Sequence, residues 1–284
     1  MTTLERLGEG LARVAVASPT LPPATHTNVW VLGRRAPVLV DPGCTDPEVV
    51  EALLQALPEP PGAIFLTHHH IDHAGGAAEL VRRTGVPVWA HRRTAGLLDL
   101  PVDRLIEDQE VLDLPGGPWT ALLTPGHAPG HLCLSRPDGT VVAGDMVAGV
   151  GTILLDPSEG DLADYLASLD RLAATGARRL LPAHGPILPD APGELARLAA
   201  HRHARSQRIL GALRTGPATP GGLVAEVYAE VGPLVQQPLF QAIAARQILT
   251  HLRWLADRHE VSNVEEDGPE VEWTWHAGTR RSRS

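Results

Sequence analysis

Short apolar runs rich in valine and leucine, each cut off by proline or glycine, mark residues 14–17, 28–32 and 38–41 as strands. Residues 47–57 change period: Val50, Leu53, Leu54 and Leu57 fall on one helical face, and Pro58 stops the run. The pattern then predicts a buried strand at 63–67, a helix at 74–83, a strand at 86–90 and a short helix at 92–98. Strands follow at 111–114, 119–124, 131–135 and 140–145, then an amphipathic helix at 162–174 and a strand at 178–183. Strands and helices interleave to about residue 184, which predicts a layered α/β domain and no simple βαβ alternation. Beyond Pro189 the texture becomes helical, with predicted helices at 194–213, 222–230 and 241–259. A break, Gly216-Pro217-Ala218-Thr219-Pro220, follows the first of these. Two short runs, 261–264 and 271–275, flank a polar turn at 265–269 and read as a terminal hairpin. The predicted division is a domain over residues 1–190 and a small α+β, winged-helix-like domain over 191–284.

Charge narrows the partners. The chain of 284 residues carries a formal net charge of −9. All its basic residues are arginine. Residues 1–191 hold 13 arginines against 23 acids, so a polyanion meets no general attraction there. Aromatic residues make up 4% of the chain, too few for a base-stacking platform. Cys44 and Cys133 form no disulfide framework and read as small buried hydrophobes. The first residues lack the charged and apolar regions of a secretory leader, and no apolar stretch reaches the ~18 residues of a membrane span. A cytoplasmic protein without a membrane partner is expected.

The chemistry concentrates after the strand at 63–67, in His68-His69-His70-Ile71-Asp72-His73. His68 and His70 are two apart and project to one side of an extended backbone, while Asp72 and His73 open the next helix. At this chain's composition H-x-H-x-D-H arises by chance ~0.002 times, so accident is a poor explanation. Imidazole with carboxylate suits zinc, with manganese or iron as alternatives. Three later residues share the placement at strand ends beside glycine: His127 in Gly126-His127, Asp145 after Gly144, and His184 before Gly185. His69 points away from its neighbours and reads as a supporting or solvent-facing residue. His131 reads as packing or hydrogen bonding at a strand start, His26 and Asn28 as weak candidates for substrate contact, and His201 and His203 as solvated.

The set Asp41, His68-x-His70-x-Asp72-His73, His127, Asp145 and His184 resembles, in order and spacing, the motifs of the metallo-β-lactamase superfamily over residues 12–190. The resemblance implies an αββα sandwich with a two-metal site at one edge. His68, His70 and His127 would hold the first metal, Asp72, His73 and His184 the second, and Asp145 would bridge them. Asp41 would support the site without ligating. The expected activity is metal-dependent hydrolysis by a metal-bridging hydroxide, with Asp72 doubling as proton acceptor and two zinc ions as cofactors. The C-terminal region is similar to the β-lactamase-like protein 2 group, which includes a single-stranded-RNA endonuclease; related proteins are thioesterases or lactonases. A small ester, thioester or lactone is the expected substrate. RNA cleavage, with Arg202, Arg205 and Arg208 on the phosphates, is one alternative; a mononuclear iron persulfide dioxygenase, using two His and one Asp, is another. Homodimerisation through the C-terminal domain is left open.

Overall fold

The computed structural model describes residues 3–8, 10–114, 116–263 and 270–276; the polar turn expected at 265–269 lies outside the described residues. The chain divides into two compact units. One comprises Met1–Ile153 with Ala167–Ala196, the other Leu154–Leu166 with Arg197–Ser284.

The first unit contains two sheets. Strands β1 (Leu4–Gly8), β2 (Leu11–Ala17), β3 (His26–Leu32), β4 (Val38–Val40), β5 (Ala63–Phe65), β6 (Val88–Ala90) and β7 (Arg104–Leu105) lie side by side in sequence order. The first four pair antiparallel, whereas β4 through β7 run parallel. Parallel neighbours need crossovers. These carry α1 (Pro47–Ala56), α2 (Ile71–Ala74), α3 (Ala77–Thr84) and α4 (Arg92–Ala95). The second sheet has the order β12-β11-β10-β9-β8, from β8 (Val111–Leu114), β9 (Gly117–Leu123), β10 (Leu132–Ser135), β11 (Thr140–Gly144) and β12 (Arg179–Pro182).

Two-residue periodicity sorts the side chains into layers. Trp30, Leu32, Val38, Val40, Ala63 and Phe65 join Trp119, Ala121, Leu132, Leu134, Val142 and Leu181 in a core between the sheets. Their neighbours Val29, Val31, Leu39 and Ile64 turn the other way and pack on Val50 and Leu53 of α1 and on Ala77 and Leu80 of α3. Helix α5 (Leu162–Ala174) is tied to the second sheet at its C-terminal half, where Ser168 donates to the Pro125 carbonyl (2.7 Å) and Arg171 to the Leu123 carbonyl (3.2 Å). This is the helix–sheet–sheet–helix sandwich expected from the sequence. Several elements differ from expectation, among them the unannounced β7 and the segment Ala229–Gln236. The pattern did not announce β1, and the helix expected at 74–83 is broken at Gly75-Gly76 into α2 and α3.

The second unit is mainly helical: α6 (Ala191–Leu213), α7 (Pro220–Val227), a 3-10 segment (Ala229–Gln236) and α8 (Pro238–Asp257), then the antiparallel pair β13 (Val261–Asn263) and β14 (Trp273–Trp275). Ile209, Leu223, Val227, Ile248, Leu252, Leu255 and Trp273 form its core. The segment 154–166 belongs to this unit through α8. Thr250 donates to the Leu155 carbonyl (2.7 Å), Arg253 to the Pro157 carbonyl, and Arg246 to both oxygens of Asp156.

Candidate metal centre

Strand direction gathers the site. β4 and β5 run parallel, β11 and β12 run parallel, and β9 is two antiparallel steps from β11, so within each sheet these strands end at one edge. The segments leaving those ends carry Asp41, His68 with His70, His127, Asp145 and His184, while α2 returns Asp72 and His73. The return is tight: a Cβ on Gly43 would stand 1.6 Å from the Asp72 carbonyl oxygen. That oxygen also accepts from Thr27 Oγ1 at 2.7 Å, which fixes the backbone of α2.

Two groups of donors result. His68 Nε2, His70 Nδ1 and His127 Nε2 stand 3.0–3.3 Å apart. Ligand nitrogens about 2.0–2.1 Å from a tetrahedral ion would be separated by about 3.3 Å, which matches this spacing. Asp72, His73 and His184 form the second group. His73 Nε2 is 3.9 Å from Asp72 Oδ1, and His184 Nε2 is 3.4 Å from Asp72 Oδ2. Asp145 reaches both groups. Its Oδ1 lies 3.5 Å from His73 Nε2 and from His184 Nε2, and its Oδ2 lies 3.6 Å from His127 Nε2.

The outer hydrogen bonds decide which ring nitrogens look inward. Thr67 donates its backbone N–H to Asp41 Oδ1 (2.7 Å) and its hydroxyl to Asp41 Oδ2 (2.6 Å). The hydroxyl proton is thereby used, so Thr67 Oγ1 accepts from His68 Nδ1 at 3.0 Å and leaves Nε2 as a bare lone pair. His73 Nδ1 donates to Asp41 Oδ2 at 2.9 Å, and His184 Nδ1 donates to the His26 carbonyl at 3.0 Å. The far nitrogens of both rings and Asp145 Oδ1 are buried without a hydrogen-bond partner. Buried polar atoms are rarely left so, and a metal cation satisfies all three at once. The donor set therefore fits divalent metal.

Charge coupling points the same way. Burial pushes His68 well below the usual imidazole range, and His73 and His127 add to it. Burial opposes the charge on His73, yet Asp145 and Asp41 hold its pKa well above that range; Asp72 likewise raises His184 against burial. Burial alone would raise Asp145 and Asp72. His73 foremost overrides it for Asp145, and His184, whose Nε2 faces Asp72 Oδ2 at 3.4 Å, foremost for Asp72, so both stay below the usual carboxylate range.

The structure brings Asp41, His68, His70, Asp72, His73, His127, Asp145 and His184 together. His69 is half-buried, its ring centroid 4.7 Å from that of His70. The Asn28 side-chain NH2 donates to the Pro182 and Gly185 carbonyls, both at 2.9 Å, which fastens β3 to the end of β12. Thr67 was not singled out by the pattern, because a threonine ending a β-run looks like any other strand residue. Cys44 and Cys133 are free and buried, their thiols pushed up to about 11 and about 12, foremost by burial.

Two of the three arginines expected to meet phosphates in the RNA alternative are buried. Arg202 is 2% and Arg205 6% exposed. Arg202 donates to Gln247 Oε1 (3.1 Å), and Arg205 donates to the Val227 carbonyl (2.6 Å) and Glu230 (2.8 Å) while its guanidinium lies over Tyr228. Arg208 pairs with Glu230 at 2.7 Å. Acceptors and the Tyr228 face inside the unit occupy Arg202 and Arg205, whereas Arg208 is exposed, its side chain half open to solvent. His203 is exposed as expected, whereas His201 is half-buried.

Residues 22–184 match the metallo-beta-lactamase superfamily, and the chain belongs to that superfamily as a metal-dependent hydrolase. Among its relatives is the beta-lactamase-like protein 2 homolog of Drosophila melanogaster, 29% identical over 72% of this chain and 74% of the relative. A metallo-beta-lactamase family protein from Thermus thermophilus superposes with a TM-score of 0.80, at 25% identity, over 95% of this chain and all of its own. A second similar structure, solved in a di-iron-bound form, is 32% identical with a TM-score of 0.53, covering 64% of this chain and 97% of its own. Among the described residues no helix is long and apolar enough to cross a membrane.

Proposed function

We propose that the chain holds two divalent metal ions and hydrolyses a small ester, thioester or lactone. His68, His70 and His127 hold one ion, Asp72, His73 and His184 the other, and Asp145 serves both. The observation that carries this reading is the Asp145 carboxylate, one oxygen of which faces His127 and the other His73 and His184. Zinc suits the donor set, and manganese or iron is compatible with it; the relative solved with two irons supports keeping iron in view. When bound, such ions acidify a water and polarise the substrate carbonyl.

The chain's own groups do the rest. Asp41 and Thr67 orient His68 and His73 by holding their Nδ1 protons. Asp72 is held ionised, with 15% of its side chain open to solvent, so a carboxylate oxygen there takes the proton of the attacking water and returns it to the leaving group. The acidic balance of residues 1–191 and the burial of Arg202 and Arg205 favour a small substrate over RNA. The complete second donor group favours two ions over the single iron of a dioxygenase. Helices followed by a two-stranded sheet support a winged-helix-like reading of residues 191–284.

Elemental mass spectrometry of the purified protein, paired with an ester, thioester and lactone panel, is the test. Close to two equivalents of metal with turnover of one acyl class is expected. No bound metal would sink the reading, and one equivalent of iron with persulfide-dependent oxygen uptake would hand the site to the oxygenase.

A further inference from the structure

His131 lies four residues beyond His127, is fully buried, and has no place in either donor group. Its hydrogen bonds run in one direction only. The Asp145 backbone N–H donates to His131 Nε2 at 3.1 Å. A peptide nitrogen can only donate, so Nε2 is bare and the ring proton sits on Nδ1. Nδ1 lies 3.0 Å from Thr124 Oγ1 and donates to it, which turns the Thr124 hydroxyl toward Cys133 Sγ at 3.2 Å. The Cys133 thiol in turn donates to the Ala143 carbonyl at 3.6 Å. The chain of bonds starts at Asp145, just past β11, and rejoins that strand at Ala143, closing a ring around Gly144.

Gly144 is required there. Its φ is +48°, and a Cβ would stand 2.5 Å from His131 Nε2. With Nε2 accepting a peptide N–H the ring is neutral, and every donor in the circuit finds one acceptor.

Resting on the two-metal reading, we infer that His131 is a positioning residue that, through the Asp145 peptide N–H, sets the Asp145 carboxylate between the two donor groups. Metal–ligand distances tolerate only about 0.2 Å of displacement. Asp145 faces both groups, so a rotation of the Gly144–Asp145 peptide disturbs both sites together. Changes at Asp41, which anchors His68 and His73, leave this circuit untouched.

The test compares H131L, H131Q and T124V by chelator competition and by the visible spectrum of the cobalt-substituted proteins, with circular dichroism of the metal-free forms. H131L removes the acceptor and is expected to weaken both sites in parallel, ~10–100-fold. H131Q places an amide oxygen near the position of Nε2 and restores most of that affinity and the wild-type cobalt spectrum. T124V, which leaves the Nδ1 proton unpartnered, gives a smaller parallel loss. The inference is overturned if H131L binds as wild type does, if one site alone weakens, or if H131Q is no better than H131L. Should metal-free H131L fail to fold, H131Q and T124V decide on the same readouts. Failure of the two-metal reading looks different, since wild type itself would then bind no metal.

Discussion

Asp41 shows how much one residue can organise. It sits at φ +54°, a region that non-glycine residues rarely occupy, and its two oxygens accept from Thr67 twice and from His73 once. D41A is expected to weaken metal binding ~10–100-fold, measured by chelator competition, because two ligand rings lose their orientation. D72A is expected to keep its circular dichroism spectrum while losing the second metal equivalent and nearly all turnover; full metal loading with retained activity would remove Asp72 from the donor set. At this scale the sequence was legible where residue type and spacing coincide, as in H-x-H-x-D-H. It was illegible where an ordinary residue acts through backbone geometry, as with Thr67 or Asn28. Arg202 and Arg205 misled for a physical reason: arginine on a long helix reads as solvated, and only the fold reveals the acceptors and the Tyr228 face that cover Arg205.

Elements were legible in proportion to their burial. β3 to β5 and β9 to β11 alternate or run apolar because sheet faces are covered, whereas β1, with three of its five residues exposed, has nothing to advertise. Helix α1 shows its start in the sequence, Asp46 before Pro47, and the Asp46 side chain accepts from Glu48 N–H at 2.8 Å. D46A is expected to cost about 1 kcal/mol in chemical denaturation, the usual worth of such a cap. In the second unit Arg246 fastens segment 154–166 to α8, and its hydrogen bond, before any other cause, brings Asp156 down to about 2. A carboxylate lowered in the folded state stabilises fully above its ordinary value near 3.8, and the contribution disappears as pH falls toward 2. D156N is therefore expected to flatten the acid limb of the urea midpoint between pH 4 and pH 2.5. The loss near neutrality should be no more than about 1 kcal/mol, because the pair is partly open to solvent.

For the molecule as a whole, the metal centre is a stability element as well as a chemical one. His73, His184 and Asp145 leave buried atoms unsatisfied until a cation joins them. Stripping with a chelator is expected to lower the melting temperature, and added metal at ~100 times its dissociation constant returns about 2.7 kcal/mol. A melting curve indifferent to metal would contradict this.

The second unit is discontinuous, and this bears on how the chain is made. Leu155, Asp156 and Pro157 leave the ribosome roughly 80 residues before α8, the helix that binds their segment. At ~5–20 residues per second the wait is about 4–16 s, during which Leu155, Asp156 and Pro157 lack the α8 groups that hold them. Synthesis thus contains a window in which this segment waits for its partner helix, and a stop codon after residue 196 would leave it without one.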